Sequence, residues 1–263
     1  MEFKKIRADI LEKNYSEIPF RLSKENLIRA AESFLDLLTL PENKKDSLYS
    51  RWDVGDHLSD VGYIKRKSNE GKDDKEFFHF NEVVDVHFKD IFYKDDKKIK
   101  IFLHEARTVY HEAKKTLHAL LKIFEGEFPG ITKMFFDETS IPFLYLRFLK
   151  YDSKEKGKFL ARAHYDRGSL TFALAESAPG LRIGRDEKTL REVDSKNKTA
   201  LFMPAIHFHE ITEEIFTPAW HDVVQKLEDR VSRETSRWAI VFFADALHMK
   251  TPTMEETHTP KTY

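Results

Sequence analysis

Up to about residue 130 the apolar positions recur at steps of three and four, and beyond it they gather into short runs broken by turn residues. The first pattern predicts helices with one buried face, and the second predicts strands. Leu27, Ala30, Ala31, Phe34, Leu35 and Leu38 mark an amphipathic helix that Ser23 opens and Leu40-Pro41 ends. A second helix is expected from residue 42 to about residue 51. The longest helix is expected over 98–124, where Phe102, Ala106, Val109, Tyr110, Ala113, Leu117, Leu120, Leu121 and Phe124 keep the period. Ahead of these, residues 1–22 read as an extended lead-in, with a short strand or coil at Glu17-Ile18-Pro19-Phe20. Asp60-Val61-Gly62-Tyr63-Ile64 reads as a short strand. The polar stretch 65–76 reads as a solvated loop, its Lys65, Arg66 and Lys67 offset by Asp73, Asp74 and Glu76.

Phe128-Pro129-Gly130 closes the helical part. After it, strand-like runs are expected at 143–149, 159–164, 169–174, 181–183, 199–203, 206–209 and 238–243. Strands this short, separated by turn residues, fit a β-sandwich, jelly roll or barrel better than a parallel α/β sheet. The whole is expected to be an α+β fold with a mainly β core flanked by N-terminal helices, one domain over 1–263. Its parts are a helix-rich stretch to residue 135, the β core over 136–248, and a polar tail over 249–263. Disorder and a flap over a pocket are both open for that tail.

Charge and composition narrow the functions. The 44 basic and 45 acidic side chains leave a formal charge of −1, so there is no global footprint for nucleic acid or anionic membrane. The absence of cysteine removes disulfides and thiolate chemistry and leans towards a reducing compartment. Residues 1–9 lack the apolar core of a secretory signal, and no run approaches the roughly 18 apolar residues of a membrane span. A soluble, cytoplasmic protein with no membrane partner is therefore expected. The 22 phenylalanines predict an aromatic-rich core, concentrated in the sheet.

The chemistry centres on Ala163-His164-Tyr165-Asp166. Residues two apart on an extended backbone share a face, so the His164 imidazole and Asp166 carboxylate stand within reach of one cation. Imidazole plus carboxylate with open positions is the chemistry of a non-haem Fe(II) oxygenase, in which a second histidine completes the ligand set. Two sources of that third ligand stand open. One is His221; the other is His207-Phe208-His209, a same-face pair on a strand, with Glu210, Glu213 or Glu214. His104, His111 and His118 repeat every seven residues on the long helix, too far apart to share an ion. Arg237 opens an apolar strand, where its guanidinium suits a dicarboxylate co-substrate. Arg162, Tyr145, Arg147 and Phe172 are candidates to line a substrate pocket.

In order along the chain stand His164-x-Asp166, Pro179-Gly180-Leu181, His221-Asp222-Val223 and Arg237-x-Ala239 leading to Phe242-Phe243. Ahead of them come Phe34, Leu40-Pro41 with Lys44, Val61-Gly62-Tyr63 and Lys75-Glu76-Phe77-Phe78. This ordered set resembles the isopenicillin N synthase-like Fe(II)/2-oxoglutarate-dependent oxygenases from about Phe34 to Phe243. The resemblance implies a double-stranded β-helix, or jelly roll, and Fe(II) held by His164, Asp166 and His221. It implies 2-oxoglutarate anchored by Arg237 and contacted by Tyr151, and oxidation of an unactivated C–H bond of a small-molecule substrate by O2. It also implies that His207 and His209 lie on the strand before the distal ligand. The pattern departs from the family at Ala239, where a serine is usual, at Asp222, where a basic residue is usual, and after Tyr151, where the proline is missing. Arg230-Val231-Ser232 offers a competing anchor at nearer spacing. The Ala239 departure keeps open a 2-oxoglutarate-independent Fe(II) oxidase of the same fold. A non-catalytic binding protein on this scaffold is the reading from another class. Retention of Asp166 argues against a halogenase, for which a small residue is expected there.

Overall fold

The computed structural model describes residues 2–54, 57–67, 75–93, 96–138, 140–152, 156–226, 237–250 and 252–259. The first half contains α1 (Phe3–Lys13), β1 (Ser16–Pro19), α2 (Lys24–Leu38), α3 (Glu42–Asp46), β2 (Tyr49–Val54), β3 (His57–Arg66), β4 (Lys75–Phe80), α4 (Glu82–Val86), α5 (Lys89–Phe92), α6 (Lys97–Phe124) and α7 (Ile131–Phe135). The second contains β5 (Phe143–Tyr151), β6 (Phe159–His164), β7 (Leu170–Glu176), β8 (Leu181–Gly184), β9 (Arg191–Glu192), β10 (Thr199–Pro204), α8 (Ile206–Ile211), β11 (Trp220–Val224), β12 (Trp238–Asp245) and α9 (Met254–His258). The strands build two antiparallel sheets, in the orders β1-β10-β7-β12-β5-β4-β3-β2 and β6-β11-β8-β9.

Strand alternation sorts the apolar side chains into two layers. On β7, Leu170, Phe172 and Leu174 enter one core, while Thr171 and Ala173 turn to a cavity between the sheets. On β12, Ile240, Phe242 and Ala244 face the core, and Ala239, Val241 and Phe243 face the cavity. The core side is covered by α2 and α6, whose Phe34 and Phe102 rings meet Phe148 of β5 at 5.9 and 5.1 Å. Each such buried ring contributes about 1.5–3 kcal/mol. The second layer, with Leu160, Leu181, Ile183, Met203 and Val223, glues the small sheet to the large one. Two facing antiparallel sheets with helices on the outer face of the larger are the jelly roll expected above.

Several local readings need correction. Residues 3–13 are helical rather than extended: Phe3, Ile6 and Ile10 share a face, and Asn14 caps the end at φ 62°. The helix expected over 42–51 stops at Asp46, and residues 49–54 pair with β3 instead. The front half is thus not all helical, since β1–β4 extend the large sheet at both edges. Of the stretch 65–76, residues 68–74, including Asp73 and Asp74, lie outside the described residues; Lys75 and Glu76 already belong to β4. Residues 206–211 form α8, not a strand. Phe172, a pocket candidate, points the other way and stacks on Phe242 at 5.8 Å, and Arg162 is exposed. His104, His111 and His118 line the exposed face of α6.

Two features brace the strand that carries His221. Asp222 is buried and takes both fork nitrogens of Arg182 on β8, at 2.8 and 2.6 Å, which accounts for an acid at this position. Gly180 sits at φ 139°, where a Cβ would lie 2.2 Å from the Val224 carbonyl oxygen. Gly180→Ala is expected to cost at least about 2 kcal/mol through strain and displacement of β11. Denaturant unfolding of the purified variant measures it; an unchanged midpoint contradicts the reading.

Candidate metal centre

The small sheet brings the two histidines together. β6 and β11 run antiparallel with His164 and His221 as cross-strand partners, and their rings lie 4.4 Å apart. β6 ends at His164, so Asp166 stands two residues beyond the strand, in the turn towards β7. Its Oδ1 is 3.7 Å from Nε2 of His164, and its Oδ2 is 3.7 Å from Nε2 of His221. One ligand atom from each of the three lies within 4.8 Å of the others. A small closing of the side chains lets one cation reach all three at bonds of about 2.0–2.2 Å.

Hydrogen bonds orient the donors. Nδ1–H of His164 donates to the Arg162 carbonyl at 2.7 Å, and Nδ1–H of His221 donates to the Ala219 carbonyl at 3.0 Å. Each imidazole is tied by the carbonyl two residues before it, which leaves the Nε2 lone pairs facing Asp166. Burial, and then the nearby His221, pushes His164 down to about 4, so its ring is neutral at physiological pH. Burial alone raises the Asp166 carboxyl, but the two histidines and the Thr171 hydroxyl, donating at 2.6 Å, outweigh it and hold it below the usual carboxylate range. Neutral imidazoles and an ionised carboxylate are the protonation states a divalent cation requires. The side-chain exposures of His164, Asp166 and His221, at 28%, 14% and 9%, show that the cluster opens on the His164 side. There His258 of α9 lies over His164, ring centroids 5.9 Å apart, and the Tyr165 N–H donates to the Thr257 carbonyl at 2.8 Å. Residues Met254–His258 of the tail therefore form a helix beside the site.

No motif in the sequence marks Thr171, although its parity on β7 is readable there. Thr171→Val is expected to weaken divalent-metal affinity roughly 10-fold, with the ligands themselves intact. A competition titration with a metal-sensitive chromophore measures this.

His207 and His209 do not join the cluster. On a helix, residues two apart point to opposite sides, so the same-face pair expected of a strand is lost. His207 donates from Nδ1 to Asp245 at 2.7 Å and from Nε2 to the Lys250 carbonyl at 2.9 Å, while His209 donates to the Phe216 carbonyl at 3.0 Å. Burial works against a charge on His207, but Asp245 outweighs it and raises its pKa.

A cavity of about 90 Å³ runs from the three ligands between the sheets and is lined by Tyr151, Thr171, Glu176, Arg237, Ala239 and Arg147, among others. Arg237 is buried at its far end. It donates from Nε to the Ala178 carbonyl at 3.1 Å, lies 5.8 Å from the Tyr151 ring centroid, and pairs through Nη2 with the Glu176 carboxylate. The position of Glu176 comes from a bulge. Val241 pairs with Ala173 but Ile240 pairs with Ala175, so β7 carries one extra residue and Glu176 arrives opposite Ala239, facing the cavity. Strict alternation from Thr171 puts it on the other face. Burial pushes Glu176 up to about 7 despite the pull of Arg237. The competing Arg230 lies outside the described residues.

No protein family matches the sequence, and no curated protein does. Solved structures match its fold. A full-length protein of Neurospora crassa, in complex with alpha-KG and 5-formyluracil, superposes with a TM-score of 0.71 at 15% identity over 95% of this chain and 85% of its own. AtDAO1 of Arabidopsis thaliana, a dioxygenase for auxin oxidation in complex with 2-oxoglutarate, gives 0.69 at 20% identity over 92% and 87%. JOX2, in complex with 2OG, Fe and JA, gives 0.70 at 15% identity over 96% and 74%. The jelly roll of this chain is thus the fold of these structures. No helix among the described residues is long and apolar enough to cross a membrane.

Proposed function

We infer that the protein is an Fe(II)- and 2-oxoglutarate-dependent oxygenase, of the isopenicillin N synthase-like kind, acting as one domain on a small-molecule C–H bond. The observation that carries this reading is the His164, Asp166 and His221 cluster, with both Nε2 lone pairs turned to one carboxylate at the head of a cavity that ends on an arginine. Two imidazoles and one carboxylate leave a divalent iron with open positions, which suits this donor set to Fe(II). Bound there, iron with 2-oxoglutarate supplies the oxidising chemistry that no side chain has.

The residues of the chain do the rest. His164, Asp166 and His221 hold the metal, and the carbonyls of Arg162 and Ala219 and the Thr171 hydroxyl fix their orientation. Arg237 receives the distal carboxylate of 2-oxoglutarate, and Tyr151 flanks it. Thr171 and Glu176 mark the two ends of that path on β7, about 15 Å of strand. Ala239 faces the cavity without a hydroxyl, so Arg237 carries more of this recognition. The apolar walls exclude water.

Succinate formation from 2-oxoglutarate with Fe(II), ascorbate and O2 tests the reading. Its absence, together with failure of 2-oxoglutarate to bind, refutes it. Glu176 gives one specific reason to keep the 2-oxoglutarate-independent oxidase as the second reading, since it already occupies part of the Arg237 fork. The two readings diverge in pH dependence. Above about 7 the Glu176 carboxylate competes for Arg237, and below it the acid is neutral and frees the guanidinium. Affinity for 2-oxoglutarate is therefore expected to be several-fold higher at about pH 6 than at about pH 8, and level across that range in Glu176→Gln. Isothermal titration at the two pH values measures it. Asp194, Lys24 and Glu192 also act on Glu176, so ionic strength is held fixed.

A further inference from the structure

The cavity holds a second guanidinium that neither the metal nor 2-oxoglutarate uses in the function proposed above. Arg147 lies on β5 between Leu146 and Phe148, which pack towards the helices, so alternation turns Arg147 into the cavity. It stands four residues, roughly 13 Å of strand, from Tyr151 and the Arg237 end. It lies nearer the metal ligands, and its charge helps to hold the Asp166 carboxyl low.

The group is held firmly, and no described residue supplies it with an anion. Nε of Arg147 donates to Nε2 of His79 at 2.8 Å, and Nδ1–H of His79 donates to the Asp60 carbonyl at 2.9 Å. Burial, and then the charge of Arg147 itself, keeps His79 well below the ordinary histidine range, so the imidazole is a neutral acceptor. The guanidinium carbon sits 4.7 Å from the Phe243 ring centroid, 5.2 Å from that of Phe77 and 5.8 Å from that of Tyr145. Among the described residues no carboxylate pairs with it. Asp166 turns to the two histidines and Thr171, and Glu176 turns to Arg237. No Nη hydrogen bond is made within the described residues either. A guanidinium fixed at Nε, with neither an Nη bond nor a counter-charge from the described residues, matches the two oxygens of a carboxylate. The wall beyond it is apolar, with Leu149, Ala173, Leu201, Met203 and Val241.

We propose that Arg147 binds the carboxylate of the oxidised substrate, and that the substrate class is an organic acid with an apolar body. This rests on the oxygenase reading, and the experiment separates the two. Phenylacetate and 3-phenylpropionate, each beside its neutral amide, are titrated anaerobically into the Fe(II)-loaded protein, with and without 2-oxoglutarate. Thermal unfolding and calorimetry are the readouts, repeated in Arg147→Gln and Arg147→Lys. At least one acid is expected to bind the wild-type protein saturably and the matching amide at least about 10-fold more weakly. Arg147→Gln is expected to lose that preference by roughly 10- to 100-fold, and Arg147→Lys, which keeps the charge but not the fork, to fall between. The affinity of both variants for 2-oxoglutarate is expected to stay within about twofold of wild type, which also reports that they are folded.

Binding of neither acid overturns the proposal, as does equal binding of acid and amide, or an acid preference that survives in Arg147→Gln. A parallel loss of 2-oxoglutarate affinity in Arg147→Gln overturns it too, by assigning Arg147 to the co-substrate. If the wild-type protein does not bind 2-oxoglutarate at all, the oxygenase reading fails. The comparison of acid with amide on the metal-loaded protein still decides the role of Arg147.

Discussion

Asp166→Ala is expected to abolish Fe(II) binding and to lower turnover by roughly 1000-fold or more, the largest effect of any single change in this protein. The two imidazoles that remain bring no negative charge, and without the carboxylate nothing at the cluster offsets the charge of the cation. The expected effect on folding is small and has a defined sign. Because the folded carboxyl is held below its ordinary range, Asp166 contributes stability above the unfolded carboxylate pKa that is lost as pH falls through the depressed one. In the alanine variant that acid dependence disappears, along with the bond from Thr171. Iron content after anaerobic loading, read beside a denaturant unfolding curve at neutral pH, separates loss of the metal from loss of the fold. An alanine variant that keeps iron overturns the ligand assignment.

Arg237→Leu is expected to have the second largest effect, with two components. Affinity for 2-oxoglutarate falls at least about 100-fold when the bidentate donor is removed. The protein is also destabilised by about 3–5 kcal/mol, because Glu176, its side chain only 11% exposed, is left without its partner. Glu176 is already pushed up to about 7, so it relieves part of this penalty by taking a proton, and the destabilisation is expected to grow as pH rises through neutrality. The double variant Arg237→Leu with Glu176→Leu removes both charges. It is expected to recover most of the stability and none of the 2-oxoglutarate affinity. Urea unfolding at two pH values and a 2-oxoglutarate titration read the two components separately. A single variant as stable as wild type contradicts the buried pair.

Much of this site is legible in the sequence because its elements rest on local rules. The period over Phe102 to Phe124 predicts α6 to within one residue at its start. The short runs after Gly130 predict β5–β8, β10 and β12, and the His-x-Asp spacing singles out His164 and Asp166, although Asp166 stands in the turn beyond β6 and not on the strand that parity assumes. Three kinds of feature lie out of its reach. α1 rests on only three core-facing positions, Phe3, Ile6 and Ile10, among charged neighbours, so its period is too brief to outweigh the proline that follows at position 19. His207 and His209 alternate as in a strand, yet tertiary pairing with Asp245 and the Lys250 carbonyl closes that stretch into α8. Glu176 reaches Arg237 through a one-residue bulge, and a bulge reverses the parity that any alternation argument relies on. Arg147 is visible as a candidate, but the absence of a carboxylate beside it among the described residues is a fact of three dimensions.

The bulge has a functional consequence. It puts an acid against Arg237, so on the proposed function the cavity carries its own competitor for the co-substrate. Affinity for 2-oxoglutarate is therefore expected to follow the protonation of Glu176 as well as the fork of Arg237.

The most direct test is an anaerobic titration of the Fe(II)-loaded protein with 2-oxoglutarate, followed by visible absorption. Chelation of iron by the 2-oxo acid is expected to raise a charge-transfer band that saturates at about one equivalent, is absent in Asp166→Ala and shifts to much higher concentration in Arg237→Leu. A wild-type protein that binds iron and develops no such band, or one whose band is indifferent to Asp166, contradicts the account.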